Sequence, residues 1–498
     1  MKALSLVCAS ACLLAASAEA ACDWSTGSCS VPLVNPRYKI HKAKIAQHMA
    51  KAPIGRFGKR QIVVNSLNGT GDAGGTLFAV SWWRTSGSTY ITQPDPIGIQ
   101  YHGGLSLGTP AQNFSILFDT GSQALWVQAR TTAGTLNTAG GIFDTSKSTT
   151  FRSLNQAAEK IEYVDGTAVS GTLVQDTAAI NGLSVANLTF EVATSITSPQ
   201  GQNPSDMDGI MGMSFSLPTA NQIPTFWERL VSDKKVTSPA FGYFIDETNA
   251  GGGLSLGGID SSRVAGPMQY VPVAASGNSA AGEPVYLFWQ SILSSINVGG
   301  GGKLGMSSNF GVVFDTGTSL AVFPVKVANS LNKALGLQLA TQNEPYLYVK
   351  DCSDNKIPAG FPDVTLMFGS HNLTVSPNEY FFMQPGDNPG QILCVSGFAG
   401  QDISSSSTVS SGKQLLVPQA ILGNVILRKF YTVFNSGDHT IGFAVANRKL
   451  NTPPDLTTPP ATSAQGSSGS SSAAPKLDTR FAVVTCVLGL FISVANFI

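Results

Sequence analysis

Phe118-Asp119-Thr120-Gly121 and Phe314-Asp315-Thr316-Gly317 are two near-copies of one tetrapeptide in a chain of 498 residues, set 196 positions apart. Each closes an apolar run, Ser115-Ile116-Leu117 in the first and Gly311-Val312-Val313 in the second. Each continues through a small hydroxyl residue, Ser122 or Thr318, into Leu125-Trp126-Val127 or Leu320-Ala321-Val322. A single Asp-Thr-Gly is an ordinary turn, because Asp and Gly favour turns for their own reasons. Two copies in one apolar frame, about a domain apart, call for a chemical reason. Two carboxylates about 3 Å apart cannot both ionise, so they share a proton and act as base and acid at one pH. Such a pair can activate a water and protonate a leaving group.

The rest of the composition suits a β protein. Glycine is abundant (52 residues) and charged residues make up only 12%, with Ser, Thr and Val recurring throughout. The formal net charge of zero hides a division. Residues 31–60 hold eight Lys/Arg and no acid, whereas residues 97–450 hold 18 Lys/Arg against 24 Asp/Glu. An acidic body of this kind argues against nucleic acid as a partner. Of seven cysteines, Cys8, Cys12 and Cys486 lie in terminal apolar stretches. Cys22, Cys29, Cys352 and Cys394 remain, an even set suited to two disulfides in a secreted protein. Three pairings are possible, and proximity favours Cys22–Cys29 and Cys352–Cys394. With five histidines and no Cys-x-x-Cys pair, neither a metal nor a cofactor is expected.

Between the two turns, Ile161-Glu162-Tyr163 and Ser170-Gly171-Thr172-Leu173 flank Asp165-Gly166, a strong hairpin signal. Asp208-Gly209-Ile210-Met211-Gly212 and Ile421-Leu422-Gly423 are apolar segments ending in glycine, one after each Asp-Thr-Gly. Gly104-Leu105-Ser106-Leu107-Gly108 and Gly253-Leu254-Ser255-Leu256-Gly257 match the hydrolase nucleophile elbow, but neither opens a helix, and alternation of this sort is what a strand shows. Helix is expected only at Ile223–Val236, Val325–Leu335 and Gln419–Leu427.

In its two Asp-Thr-Gly turns, its hairpin, its two apolar-apolar-Gly segments and its Cys352/Cys394 pair, the sequence resembles the pepsin-like aspartic proteases over roughly residues 97–448. The resemblance implies a mainly β, bilobal acid protease fold, with two pseudo-symmetric lobes and a cleft between them. It implies an aspartic endopeptidase with Asp119 and Asp315 as the catalytic pair. Thr120, Gly121, Thr316 and Gly317 then brace the turns, while Ser122 and Thr318 hydrogen-bond the outer carboxylate oxygens. The hairpin becomes a flap over the substrate, formed by Tyr163, Val164, Asp165 and Gly166, with the Tyr163 hydroxyl reaching toward Trp126. Val164 departs from the glycine usual there, and it keeps open a second reading, a non-catalytic cell-surface binding protein of the same fold.

The ends complete the expected organisation. Residues 1–20, with Met1-Lys2, an apolar stretch and Ala18-Glu19-Ala20, read as a secretory signal peptide. Residues 21–60, ending in Lys59-Arg60, suit the family's basic propeptide, an intramolecular inhibitor released when acid protonates the cleft. Residues 61–96 are either an arm or the remainder of that propeptide. The two catalytic lobes are expected over 97–270 and 271–450. A Ser/Thr/Pro-rich linker (451–472) leads to 473–498, whose terminal apolar tail is followed by no Lys or Arg. That order fits a GPI-attachment signal better than a membrane span, as in a yapsin-like, surface-anchored fungal member. Sequons at Asn68, Asn113, Asn187 and Asn372 suit a secreted glycoprotein. A monomer acting on protein or peptide substrates is expected.

Overall fold

The computed structural model describes residues 21–23, 28–30, 69–70, 76–84, 101–134, 141–158, 160–163, 167–197, 208–216, 223–245, 251–279, 281–300, 303–304, 310–341, 345–352, 356–386, 391–403, 418–448, 456–457 and 492–493. The signal peptide, nearly all of the basic segment, Asn68, and Val164, Asp165 and Gly166 of the hairpin tip lie outside them, as does most of the tail.

Strands dominate, and the bilobal, mainly β architecture repeats one pattern around each aspartate. In the first half, Gln112–Asp119 runs parallel to Gly209–Gly212, pairing Asp119 with Gly212. Gly209–Gly212 in turn lies antiparallel to Leu125–Gly134, which runs parallel to Leu183–Thr197. In the second half, Phe310–Phe314 runs parallel to Ala420–Leu422. That strand is antiparallel to Ala321–Phe323, which is parallel to Phe398–Gly400. Parallel pairing demands burial on both faces, and the residues comply: Ile116, Leu117, Val312, Val313, Ile421 and Leu422 are all wholly buried.

A shared sheet joins the halves. Ala240–Ile245 pairs with Phe430–Asn435 from the far end of the sequence and with Gly251–Leu256. Gly251–Leu256 pairs with Thr76–Arg84, whose end meets Tyr101–Leu107. Part of the undecided segment 61–96 is therefore an inner strand of this sheet. Both nucleophile-elbow look-alikes are strands too. The packing is aromatic: Phe241 stacks on Phe434 at 4.9 Å and meets Trp227 edge-on at 5.0 Å. Trp289 packs on Phe434 at 5.2 Å and donates its indole N–H to the Met213 carbonyl. Aromatic pairs of this geometry add about 0.5–1.5 kcal/mol each beyond the area they bury.

The helices are shorter than the sequence suggests. The first spans Phe226–Ser232 instead of Ile223–Val236: Thr225 caps it, its hydroxyl accepting from the Glu228 N–H while Glu228 accepts from the Thr225 N–H. It stops before Lys234, which is left-handed (φ 53°). Val325–Ala334 is helical as expected. Gln419–Leu427 divides into the strand Ala420–Leu422 and a single turn, Asn424–Leu427. Cys352 and Cys394 form a disulfide with Cα atoms 5.6 Å apart. Cys22 and Cys29 are direct register partners in a small antiparallel ladder. Asn113, Asn187 and Asn372 are exposed. Among the described residues no helix is long and apolar enough to cross a membrane.

Candidate active site

The two parallel ladders end side by side, so each delivers its aspartate into a common buried space. Asp119 and Asp315 are both inaccessible to solvent, and their carboxyls lie within hydrogen-bonding reach of each other. Each is held by its own turn. The Gly121 N–H donates to Asp119 Oδ1 at 2.8 Å, and the Gly317 N–H donates to Asp315 Oδ1 at 2.7 Å. Ser122 Oγ donates to Asp119 Oδ2, and Thr318 Oγ1 donates to Asp315 Oδ2 at 2.7 Å.

The glycines follow from this closeness. A Cβ on Gly121 would stand 2.6 Å from Asp315 Oδ2, and one on Gly317 would stand 2.5 Å from Asp119 Oδ1. Any side chain at either position would push the carboxyls apart.

Four bonds stitch one turn to the other. Thr120 Oγ1 donates to the Phe314 carbonyl at 2.7 Å and accepts from the Thr316 N–H at 3.0 Å. Reciprocally, Thr316 Oγ1 donates to the Phe118 carbonyl at 2.6 Å and accepts from the Thr120 N–H at 3.1 Å. The glycine-ended segments support the turns from outside. The Met213 N–H donates to the Asp119 carbonyl at 2.7 Å, and the Asp315 N–H donates to the Leu422 carbonyl at 3.0 Å. A Cβ on Gly423 would meet the carbonyls of Thr318 and Leu320 at 2.4 Å. Preorganisation of this kind is what a shared proton needs.

Burial pushes both acids upward, for want of water around their charged forms. Asp119 is partly drawn back by its donors, Ser122 first. Asp315 goes well above the ordinary range, raised by burial and then by the neighbouring Asp119 charge. The pair titrates as a unit, with one proton retained. Because both folded-state values are raised, stability from this pair is complete below about pH 3.8 and is lost as pH climbs through the folded values.

Strands Ile161–Tyr163 and Ala168–Ile180 form the base of the hairpin. Tyr163 is buried there, and Trp126 Nε1 donates to its hydroxyl at 2.5 Å. Two residues escaped the sequence reading. Tyr243 donates to Asn424 Oδ1 at 2.5 Å, and Asn424 Nδ2 donates to the Thr316 carbonyl at 3.1 Å. This relay ties the shared sheet to the second turn. Position alone could have flagged Asn424, the polar residue directly after Gly423; nothing flagged Tyr243. Among the described residues no cluster of His, Cys, Asp or Glu could hold a metal ion.

Two buried aspartates presented by twin turns at a bilobal β junction define an aspartic peptidase. The family described as "Eukaryotic aspartyl protease" matches residues 100–446, and the chain belongs to it. Cathepsin D of Homo sapiens is 32% identical over 369 residues, covering 70% of this chain and 81% of that protein. Cathepsin E of Aquarana catesbeiana is 32% identical over 353 residues, covering 70% of this chain and 80% of its own. A probable vacuolar protease A of Trichophyton verrucosum is 30% identical over 356 residues, covering 70% and 79%. The chain is an aspartic endopeptidase by family and a hydrolase of peptide bonds.

Proposed function

We propose that this chain is made as a secreted zymogen whose body cleaves extended peptides at acid pH, with water activated between Asp119 and Asp315. The observation that carries this reading is the buried carboxyl pair, both members shifted upward and fixed by their own turns. Asp315, pushed well up by burial and then by the neighbouring Asp119 charge, keeps the shared proton, and Asp119, drawn back by its donors, is the resting base. Asp119 takes a proton from water as the oxygen attacks the carbonyl carbon. Asp315 donates its proton to the carbonyl oxygen; as the tetrahedral intermediate collapses, Asp119 passes the proton it took to the leaving amine and Asp315 regains one from a hydroxyl of the intermediate. Tyr163, held by Trp126, sets the base of the flap that Val164, Asp165 and Gly166 carry over the substrate.

Regulation follows from charge. Residues 31–60 are wholly basic among their charged positions and residues 97–450 are net acidic, so the segment serves as an inhibitor until acid neutralises the cleft. Residues 1–20 direct the chain into the secretory pathway, a reading in keeping with relatives named vacuolar protease A. A GPI anchor replaces residues after about 472 and holds the monomer at the cell surface or wall. That reading rests on the tail sequence.

The test is hydrolysis of a mixed peptide library by processed protein from acid to neutral pH, with and without pepstatin, beside Asp315→Asn. Acid-dependent, pepstatin-sensitive cleavage absent from the variant is expected. Maximal activity only above neutrality would sink the shared-proton mechanism.

A further inference from the structure

One buried acid has no part in the chemistry above. Glu191 lies in the strand Leu183–Thr197, opposite Leu173 on one neighbouring strand and Trp126 on the other. Register partners project to the same face of a sheet. Glu191, Ala193 and Trp126 therefore share the face on which Tyr163, Val169, Leu117 and Ile210 form an apolar cluster under the hairpin. Glu191 is 3% exposed, and its Oε1 is fully buried with no hydrogen-bond partner among the described residues. The carboxyl is wedged against Gly171: a Cβ there would meet Glu191 Cγ and Oε1 at 2.6 Å. A side chain in such a place is tolerable as a neutral acid and costly as an anion.

We propose that Glu191 is a proton-operated latch on the base of the flap: neutral, it packs beside Trp126, and on ionisation it is driven toward water and loosens the strands that hold Tyr163.

Burial alone moves its titration from about 4.5 to about 8. The described ionisable groups on the elements packed around its strand are Arg152, Asp176, Tyr163, the mutually paired Lys160 and Glu162, and Glu228 and Arg229 of the helix Phe226–Ser232. None of them lowers or raises it; desolvation is the sole cause. The folded-state value lies above the unfolded one, so stability from this site is complete below about 4.5 and is lost as pH rises through about 8. Across that window the folded-to-open ratio falls by about three orders of magnitude. The element next to it is lightly held. Ile161–Tyr163 pairs with Ala168 and Val169 at two register positions, with one further bond from the Tyr163 N–H to the Thr167 carbonyl, and meets Ile492–Ser493 on its other side at two positions more. Short strands held at few positions on each side open first. The latch thus opens the flap base at neutral to alkaline pH through a group distinct from Asp119 and Asp315.

The test uses the secreted chain in an Asp315→Asn background, which stops self-digestion. Hydrogen exchange of peptides covering 161–163 and 168–173 is followed at pH 5, 7 and 8.5, corrected for intrinsic rates, with and without Glu191→Gln. The expected result is a loss of protection of a hundredfold or more between pH 5 and 8.5 with Glu191, and less than tenfold with Gln. Equal losses in both overturn the proposal. If Glu191→Gln fails to fold, Glu191→Met takes its place. Independently of any substitution, a Glu191 carboxyl carbon whose NMR shift titrates below about pH 6 overturns it.

Discussion

Replacing Thr120 by Ala removes a hydroxyl that serves both turns at once. The Phe314 carbonyl loses its donor and the Thr316 N–H loses its acceptor, both in fully dry surroundings. A stranded buried group costs about 1–3 kcal/mol, so the pair costs about 2–6 kcal/mol. The functional effect is separable, because these bonds set the distance between the carboxyls and touch no substrate. An angstrom of misplacement costs about a hundredfold in rate. Thr120→Ala should therefore lower kcat by about that factor with little change in KM, alongside an earlier denaturation midpoint in urea. Thr120→Ser keeps the hydroxyl and should restore most of both. Thr316→Ala mirrors the loss through the Phe118 carbonyl and the Thr120 N–H, so the double variant should fall well short of additivity. A Thr120→Ala enzyme with kcat within twofold of the parent and an unmoved midpoint would refute the bracing argument.

Ser122→Ala removes the foremost donor that keeps Asp119 ionised, so the Asp119 carboxyl should rise further. A charge-assisted bond of about 1.5–3 kcal/mol moves the acid limb of kcat/KM upward by about one to two pH units; a profile that stays in place shows that the bond does not set the limb. Cys352→Ser with Cys394→Ser opens a link spanning 42 residues. The chain-entropy relation gives a loss of about 4 kcal/mol, read as an earlier denaturation midpoint, and an unchanged midpoint contradicts it.

The aspartate turns were legible because glycine, a small hydroxyl residue and an apolar strand must coincide where two carboxyls meet, and that coincidence occurs twice. The hairpin base was legible for a similar reason, alternation around Asp165-Gly166. Thr76–Arg84 was not, since its place depends on edges offered by Gly251–Leu256 and Tyr101–Leu107, far along the chain. Gln419–Leu427 misled because a short apolar run suits strand and helix alike. Only the partner strands Phe310–Phe314 and Ala321–Phe323 decide where it divides. Glu191 is the instructive miss. In the sequence it is one charged residue in an alternating strand, and nothing local says that Trp126 and Gly171 close over it.

The cross-stitching of Thr120 and Thr316 also governs when the peptidase can exist. Its two halves leave the ribosome at different times: at about 5–20 residues per second, 196 residues separate them by about 10–40 s. Phe430–Asn435, which pairs with the first half through Ala240–Ile245, emerges later still. Until then Asp119 has no partner with which to share a proton. A truncated or stalled chain is thus chemically inert toward its neighbours, and the capacity to cut arrives only with the last strands.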